Sequence, residues 1–198
     1  MSKSGIQGAV LAAIAAMGLA ASEPARASLF TIDVTEQGGN VDVVGSGSIS
    51  LIGLTLVGPN NAPPEINPGD GLILFGNSTD FYTGVHGPFF FGSFGIKLPS
   101  NATGDSFGIA GGAQALFVPP SFTSGDALSG AMTFDNATIA SLGLTPGVYT
   151  YTWGDFHNEL IVNIEAVPEP STWAMLALGF IGLAALGARR AAAKTAIA

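Results

Sequence analysis

Apolar residues are arranged in two ways along this chain. Each end carries one nearly continuous apolar run, Ile6–Ala21 and Trp173–Ala188, whereas the stretch between them holds its apolar residues in short blocks. Blocks rich in Val, Ile, Phe, Tyr and Thr, alternating with polar positions and bounded by Gly, Pro, Asn and Asp, predict strands. By that rule strands fall at Leu29–Val34, Val41–Val57, Leu72–Phe75, Phe89–Leu98, Ser106–Ala110, Ala115–Val118, Ala131–Phe134, Val148–Trp153 and Leu160–Ile164. Val41–Val57 contains Gly45, Gly47 and Gly53, which predicts one long strand with a bend or bulge. Asn67-Pro68-Gly69-Asp70-Gly71 predicts a turn. A single helical turn fits Asn136–Leu142, capped by Asn136 and ended by Gly143. With no long amphipathic helix between the ends, the pattern predicts an all-β body over residues 28–166, a β-sandwich of which a jelly-roll is one form.

The two end runs read differently from the body. Lys3, the apolar run, the break at Ser22-Glu23-Pro24 and the small residues of Ala25-Arg26-Ala27 predict a signal helix within residues 1–27, cut by signal peptidase after Ala27, with a cut after Ala21 as the alternative. At the other end, Val167-Pro168-Glu169-Pro170-Ser171-Thr172 precedes Trp173–Ala188, and Arg189-Arg190 follows. Sixteen residues of helix reach about 24 Å, slightly less than a hydrocarbon core of about 30 Å. Trp173 suits one interface and the arginines, kept on the cytoplasmic side, the other, so a single C-terminal transmembrane helix is predicted. The two prolines keep the stretch around Glu169 extended and readable by another protein.

This arrangement of Pro-Glu-Pro, hydrophobic segment with Gly179, Gly182 and Gly187, and paired arginines resembles the PEP-CTERM sorting tail over residues 167–190, leaving 191–198 as a cytoplasmic tail somewhat long for that family. The resemblance implies that exosortase, a membrane enzyme, recognises the chain through Pro168, Glu169, Pro170, Arg189 and Arg190 and cuts near the Pro-Glu-Pro. It implies a Gram-negative host that makes exopolysaccharide, a passing inner-membrane intermediate, and a final place at the cell surface or in the extracellular matrix. A weaker likeness to the closing hairpin of such proteins lies in Gly143–Gly154, where Tyr149, Tyr151 and Trp153 share one strand face; Leu116-Phe117-Val118-Pro119 with Ser124-Gly125 is similar too.

Charge narrows the classes further. Within residues 28–166 the only basic residue is Lys97, against twelve acids, a formal charge of −11. Such a surface repels phosphate backbones and anionic lipid heads, which argues against nucleic-acid binding. With no cysteine there is no disulfide, no thiolate metal site and no cysteine nucleophile.

Candidate chemistry within the body is sparse. Gly104-Asp105-Ser106-Phe107-Gly108 has the spacing of a hydrolase nucleophile elbow, with His86 or His157 as base and Asp126 or Asp135 as acid, but a β-like run follows where that elbow needs a helix. The two histidines lack zinc-ligand spacing, and no metal or other cofactor is expected. Asp155 with Asn158 and Glu159, and Asp70 with Asn67, could supply oxygen to calcium, although neither forms a standard calcium loop. Tyr82, Phe89, Phe90, Phe91, Phe94 and Trp153 could stack on sugar rings if exposed. Three Asn-x-Ser/Thr sites, at Asn77, Asn101 and Asn136, carry no weight in a bacterial chain. The sequence therefore predicts a non-catalytic exported surface or matrix protein. A secreted carbohydrate-binding module is the alternative, and a secreted serine hydrolase ranks below both.

Overall fold

The structure is a computed structural model that describes residues 28–155, 157–165 and 175–184. The expected signal helix, Pro168, Glu169, Pro170, Arg189 and Arg190 lie outside the described residues.

The body is all-β. Its twelve strands are β1 (Leu29–Gln37), β2 (Asn40–Ser48), β3 (Thr55–Asn61), β4 (Glu65–Asn67), β5 (Leu72–Leu74), β6 (Ser78–Thr83), β7 (Asn101–Gly104), β8 (Gly108–Ala110), β9 (Ala115–Val118), β10 (Ala127–Phe134), β11 (Gly147–Trp153) and β12 (Asn158–Ile164). They form two six-stranded sheets, β11-β12-β1-β2-β10-β7 and β3-β6-β9-β8-β5-β4. All pairings are antiparallel except β1 with β12, where Leu29–Val34 runs parallel to Glu159–Ile164 in the middle of the first sheet. Twelve strands with a parallel central pair make a sandwich, but not the eight-stranded jelly-roll.

The core follows from period two. Phe30, Ile32 and Val34 of β1, Val41 and Val43 of β2, Leu128, Met132 and Phe134 of β10, and Leu160, Val162 and Ile164 of β12 all point inward and are buried. They meet Ile66, Ile73, Ile109, Leu116 and Val118 of the second sheet in one cluster. At its centre lies Phe107, edge-on to Phe30 at 4.9 Å between ring centroids and stacked on Phe75 at 4.3 Å. Gly45 and Gly130 are cross-strand partners, and a Cβ on either would come within 2.6 and 3.0 Å of the Phe107 ring. Gly45 is therefore a seat for an aromatic ring, not the bend its sequence suggests.

Three expectations change. Val41–Val57 is not one strand: β2 ends at Ser48, the chain crosses between sheets, and β3 starts at Thr55 on the second sheet. Gly53 supplies the sharp crossing, with φ +86° and no room for a Cβ against Gly154 Cα at 2.5 Å. Phe89–Leu98 is not a strand but an irregular segment held by single bridges, Gly92 to Leu144 and Lys97 to Ile66 of the second sheet. The helical turn is capped by Thr138, not Asn136. Thr138 Oγ1 accepts the Ser141 N–H at 3.0 Å while Ser141 Oγ accepts the Thr138 N–H at 2.8 Å, and Asn136 sits at φ +52° in the preceding turn. Gly143, at φ +76°, ends the turn as its sequence predicts.

A helix spans residues 175–184, about 15 Å, with every side chain exposed. Among the described residues no helix is long and apolar enough to cross a membrane.

Candidate functional site

Functional signals gather at the end of the sandwich where the body hands over to the C-terminal segment. β12 ends at Ile164, opposite Gly147 at the start of β11, and the Glu165 N–H donates to Val34 O at 3.0 Å. Two residues before Gly147, the Thr145 N–H donates to Phe91 O at 2.9 Å, and the neighbouring bridge joins Gly92 to Leu144. The chain therefore leaves the body beside the 84–98 segment.

That segment runs along the side of the body, from the far end of β11 at Thr152 to the exit beside Leu144. His86 pairs with Thr152 on the outer edge of β11, and Lys97 pairs with Ile66 on the outer edge of β4, so one segment covers an edge of each sheet. Between those anchors, the Phe91 N–H donates to Pro68 O at 3.0 Å and the Ser93 N–H to Gly143 O at 2.9 Å. Gln114, at φ +48° in the β8–β9 turn, bonds the backbone N–H and carbonyl of Gly87, both at 3.3 Å.

The segment divides its aromatic residues. Phe91 is buried, edge-on to Tyr149 at 5.7 Å. Phe89, Phe90 and Phe94 are 60%, 63% and 80% exposed, and Ile96 and Leu98 are equally open. Of the other ring candidates, Trp153 is buried with Nε1 donating to Ser50 O at 2.7 Å, and Tyr82 is half-buried. The exposed rings have aliphatic neighbours in their own segment. The nearest carboxylate group shown is Asp70, hydrogen-bonded to Asn67, whose Oδ1 accepts the Gly95 N–H at 3.0 Å. The sequence flags the aromatic run; its division into an inward Phe91 and outward Phe89, Phe90 and Phe94 follows from bridges formed in the folded state.

The other candidates are dispersed. Ser106 leads into β8, not into a helix, and packs at the opposite end of β8 from the β8–β9 turn that holds the His86 segment. Asp126 and Asp135 flank the two ends of β10, about 27 Å apart along an eight-residue strand. His157 is exposed, and its backbone N–H reaches Gly154 O. Asn158, expected as a calcium ligand beside Asp155 and Glu159, instead turns its Oδ1 to the N–H and hydroxyl of Ser28. Asp70 and Asn67 likewise spend their oxygens on internal hydrogen bonds. Among the described residues no group of three or more His, Asp or Glu is placed to hold a metal ion. A recess of about 300 Å³ lies between Ile52, Gly53, Gly84, His86, Trp153, Gly154 and Asp155.

Burial sets the ionisation of three groups. Desolvation raises the Glu65 carboxyl and the Tyr149 hydroxyl above their ordinary values. Tyr151 is pushed well above the usual phenol range, first by desolvation and then by neighbouring Tyr149. Its hydroxyl is buried with no hydrogen-bond partner among the described residues.

The described residues thus form an all-β body and, after it in the chain, an exposed apolar helix at 175–184. Residues 166–191 match the family model of the PEP-CTERM protein-sorting motif. The chain thus carries a PEP-CTERM protein-sorting motif, which implies export and recognition by an exosortase. No curated protein and no solved structure shows significant similarity to the chain.

Proposed function

We propose that the chain is a non-catalytic surface or matrix protein of a Gram-negative bacterium, exported through its signal peptide and sorted through Pro168, Glu169, Pro170, Arg189 and Arg190. The match over residues 166–191 carries this reading. In it, Trp173–Ala188 is held in the inner membrane until exosortase cuts near the Pro-Glu-Pro, and the body then passes to the cell surface or the exopolysaccharide matrix. The non-catalytic part is supported by the separation of Ser106 from the His86 segment and by the strand, in place of a helix, that follows Ser106.

Carbohydrate binding is the second reading, favoured by the exposure of Phe89, Phe90 and Phe94. Against it stands the shortage of polar groups around those rings, because a sugar site needs hydrogen-bond partners for its hydroxyls.

Fusing residues 166–198 to an unrelated exported reporter tests the sorting function. The reporter should be held at the inner membrane and then trimmed in a cell with exosortase, and held without trimming in a cell lacking it. A reporter neither held nor trimmed in the first cell overturns the reading.

A further inference from the structure

We propose that the 89–98 segment, through Phe89, Phe90, Phe94, Ile96 and Leu98, seats the folded body on neutral lipid at the outer face of the inner membrane while the sorting tail is anchored. The inference rests on the sorting reading for the anchor and adds a second membrane contact, made by the body itself.

Three observations carry it. First, five large apolar side chains, each at least 60% exposed, lie within ten residues of one another. Isolated exposed apolar residues are ordinary, but a run of them on one segment marks an interaction surface. Second, the chain leaves the body beside residues 91–93 of this segment. Ile164 pairs with Gly147, Thr145 bonds to Phe91, and only residues 166–172 separate Glu165 from Trp173. Seven residues span at most about 24 Å, less than the roughly 30 Å length of a nine-residue strand such as β1. With Trp173 at the interface, the tether keeps this part of the body close to the lipid. Third, charge points the same way. No acidic residue occurs between Asp80 and Asp105, and the body's only cation, Lys97, lies between Ile96 and Leu98. Beside the segment lie Asp70, tied up with Asn67, and Glu65, whose carboxyl is raised by burial, while Asp135 adjoins its Leu98 end, where the Asp135 N–H donates to Ser100 Oγ.

These features select lipid over the other occupants. Aromatic and aliphatic side chains without flanking hydrogen-bonding groups suit the headgroup–acyl boundary, where Phe and Leu bury and Lys snorkels to phosphate. The remaining surface, formally −11 for the whole body, is repelled by anionic heads, so neutral lipid is the partner and the docking is a weak, reversible one made effective by the tether.

The absence of cysteine makes the test direct. Three full-length single-cysteine chains, Phe90→Cys, Thr123→Cys and Ala177→Cys, are labelled with an environment-sensitive fluorophore and reconstituted into phosphatidylcholine–phosphatidylethanolamine vesicles carrying nitroxide on the acyl chains. Thr123 is exposed and sits at the far end of the sandwich, before β10. The labels at 177 and 90 should be quenched and the label at 123 should not. Adding Phe89→Ser and Ile96→Ser should lower the docked fraction at position 90 by about tenfold or more, leaving quenching at 177 unchanged. If 177 is quenched while 90 stays as wet as 123, the docking proposal is overturned and the anchor stands. If 177 is not quenched, the anchor and the proposal fall together. A label at 90 that is shielded but not quenched, in a chain that sediments as a dimer, assigns the surface to a second copy and also overturns the proposal.

Discussion

Asn158 clasps Ser28: its Oδ1 accepts the Ser28 N–H at 3.2 Å and the Ser28 hydroxyl at 3.1 Å, and both residues are buried. Ser28 is the first residue after the expected signal-peptidase cut at Ala27, and Asn158 opens β12, the strand that pairs with β1. The clasp therefore joins the start of the body to its last strand. Asn158→Ala strands two buried donors and should cost about 1–3 kcal/mol. Asn158→Asp should separate the processed from the unprocessed chain. Where Ser28 begins the chain its nitrogen is an amino terminus, and a carboxylate acceptor gives a charge-assisted bond. Where residue 27 remains, the same carboxylate faces only a neutral amide in a dry site. Thermal melts of the two forms should show the Asn158→Asp substitution doing less harm, relative to wild type, in the form that starts at Ser28; equal effects in both would show that Ser28 does not carry a free amine.

Tyr151 gives a prediction of opposite sign. Its hydroxyl is buried without a partner, so the ring contributes packing while the oxygen costs desolvation. Tyr151→Phe should stabilise the body by about 1 kcal/mol at neutral pH. The pH dependence has a definite sign. The hydroxyl pKa is raised in the folded state, so its neutral form is favoured there. The associated stability is fully present below about pH 10, where the unfolded phenol ionises, and is lost as pH rises toward the folded value. Denaturant melts from neutral to strongly alkaline pH should show wild type losing stability above about pH 10 more steeply than Tyr151→Phe. Parallel curves would mean that Tyr151 is not the group responsible.

The crossing between sheets tests a backbone argument. Gly53 has φ +86°, and a Cβ there would meet Gly154 Cα at 2.5 Å. Gly53→Ala combines the left-handed cost of about 1–2 kcal/mol with a backbone clash, so a loss of about 2–4 kcal/mol is expected in urea unfolding. Gly38→Ala, at φ +63° with open space around it, isolates the conformational cost and should lose only about 1–2 kcal/mol. Equal losses at the two sites would contradict the close approach.

Much of the fold is legible in the sequence because period-two burial is a local signal. Ala115–Val118 is found to the residue, β1, β5, β10, β11 and β12 are found with shifted or shorter bounds, and Tyr149, Tyr151 and Trp153 share one face of β11. What escapes is what depends on distant partners. β4, β6 and β7 are short or polar: Ser78, Asp80, Asn101 and Thr103 do not read as strand residues until β3, β9 and β10 pair with them. Gly45 reads as a bend because Phe107, which needs the space, is sixty-two positions away. Phe89–Leu98 reads as a strand from its aromatic content, yet its backbone is spent on single bridges, Gly92 to Leu144 and Lys97 to Ile66. The parallel β1–β12 pair is likewise invisible in either strand alone. It also means that the first sheet cannot close until β12, immediately before the sorting segment, has been exported.

The sorting motif is the centre of the account, and intact-mass analysis of the protein taken from an exosortase-bearing host tests it most directly. The mass should correspond to a chain that starts at Ser28 and ends near Pro168-Glu169-Pro170, with or without an added group at the new terminus. A mature protein that still carries Trp173–Ala198 would contradict it.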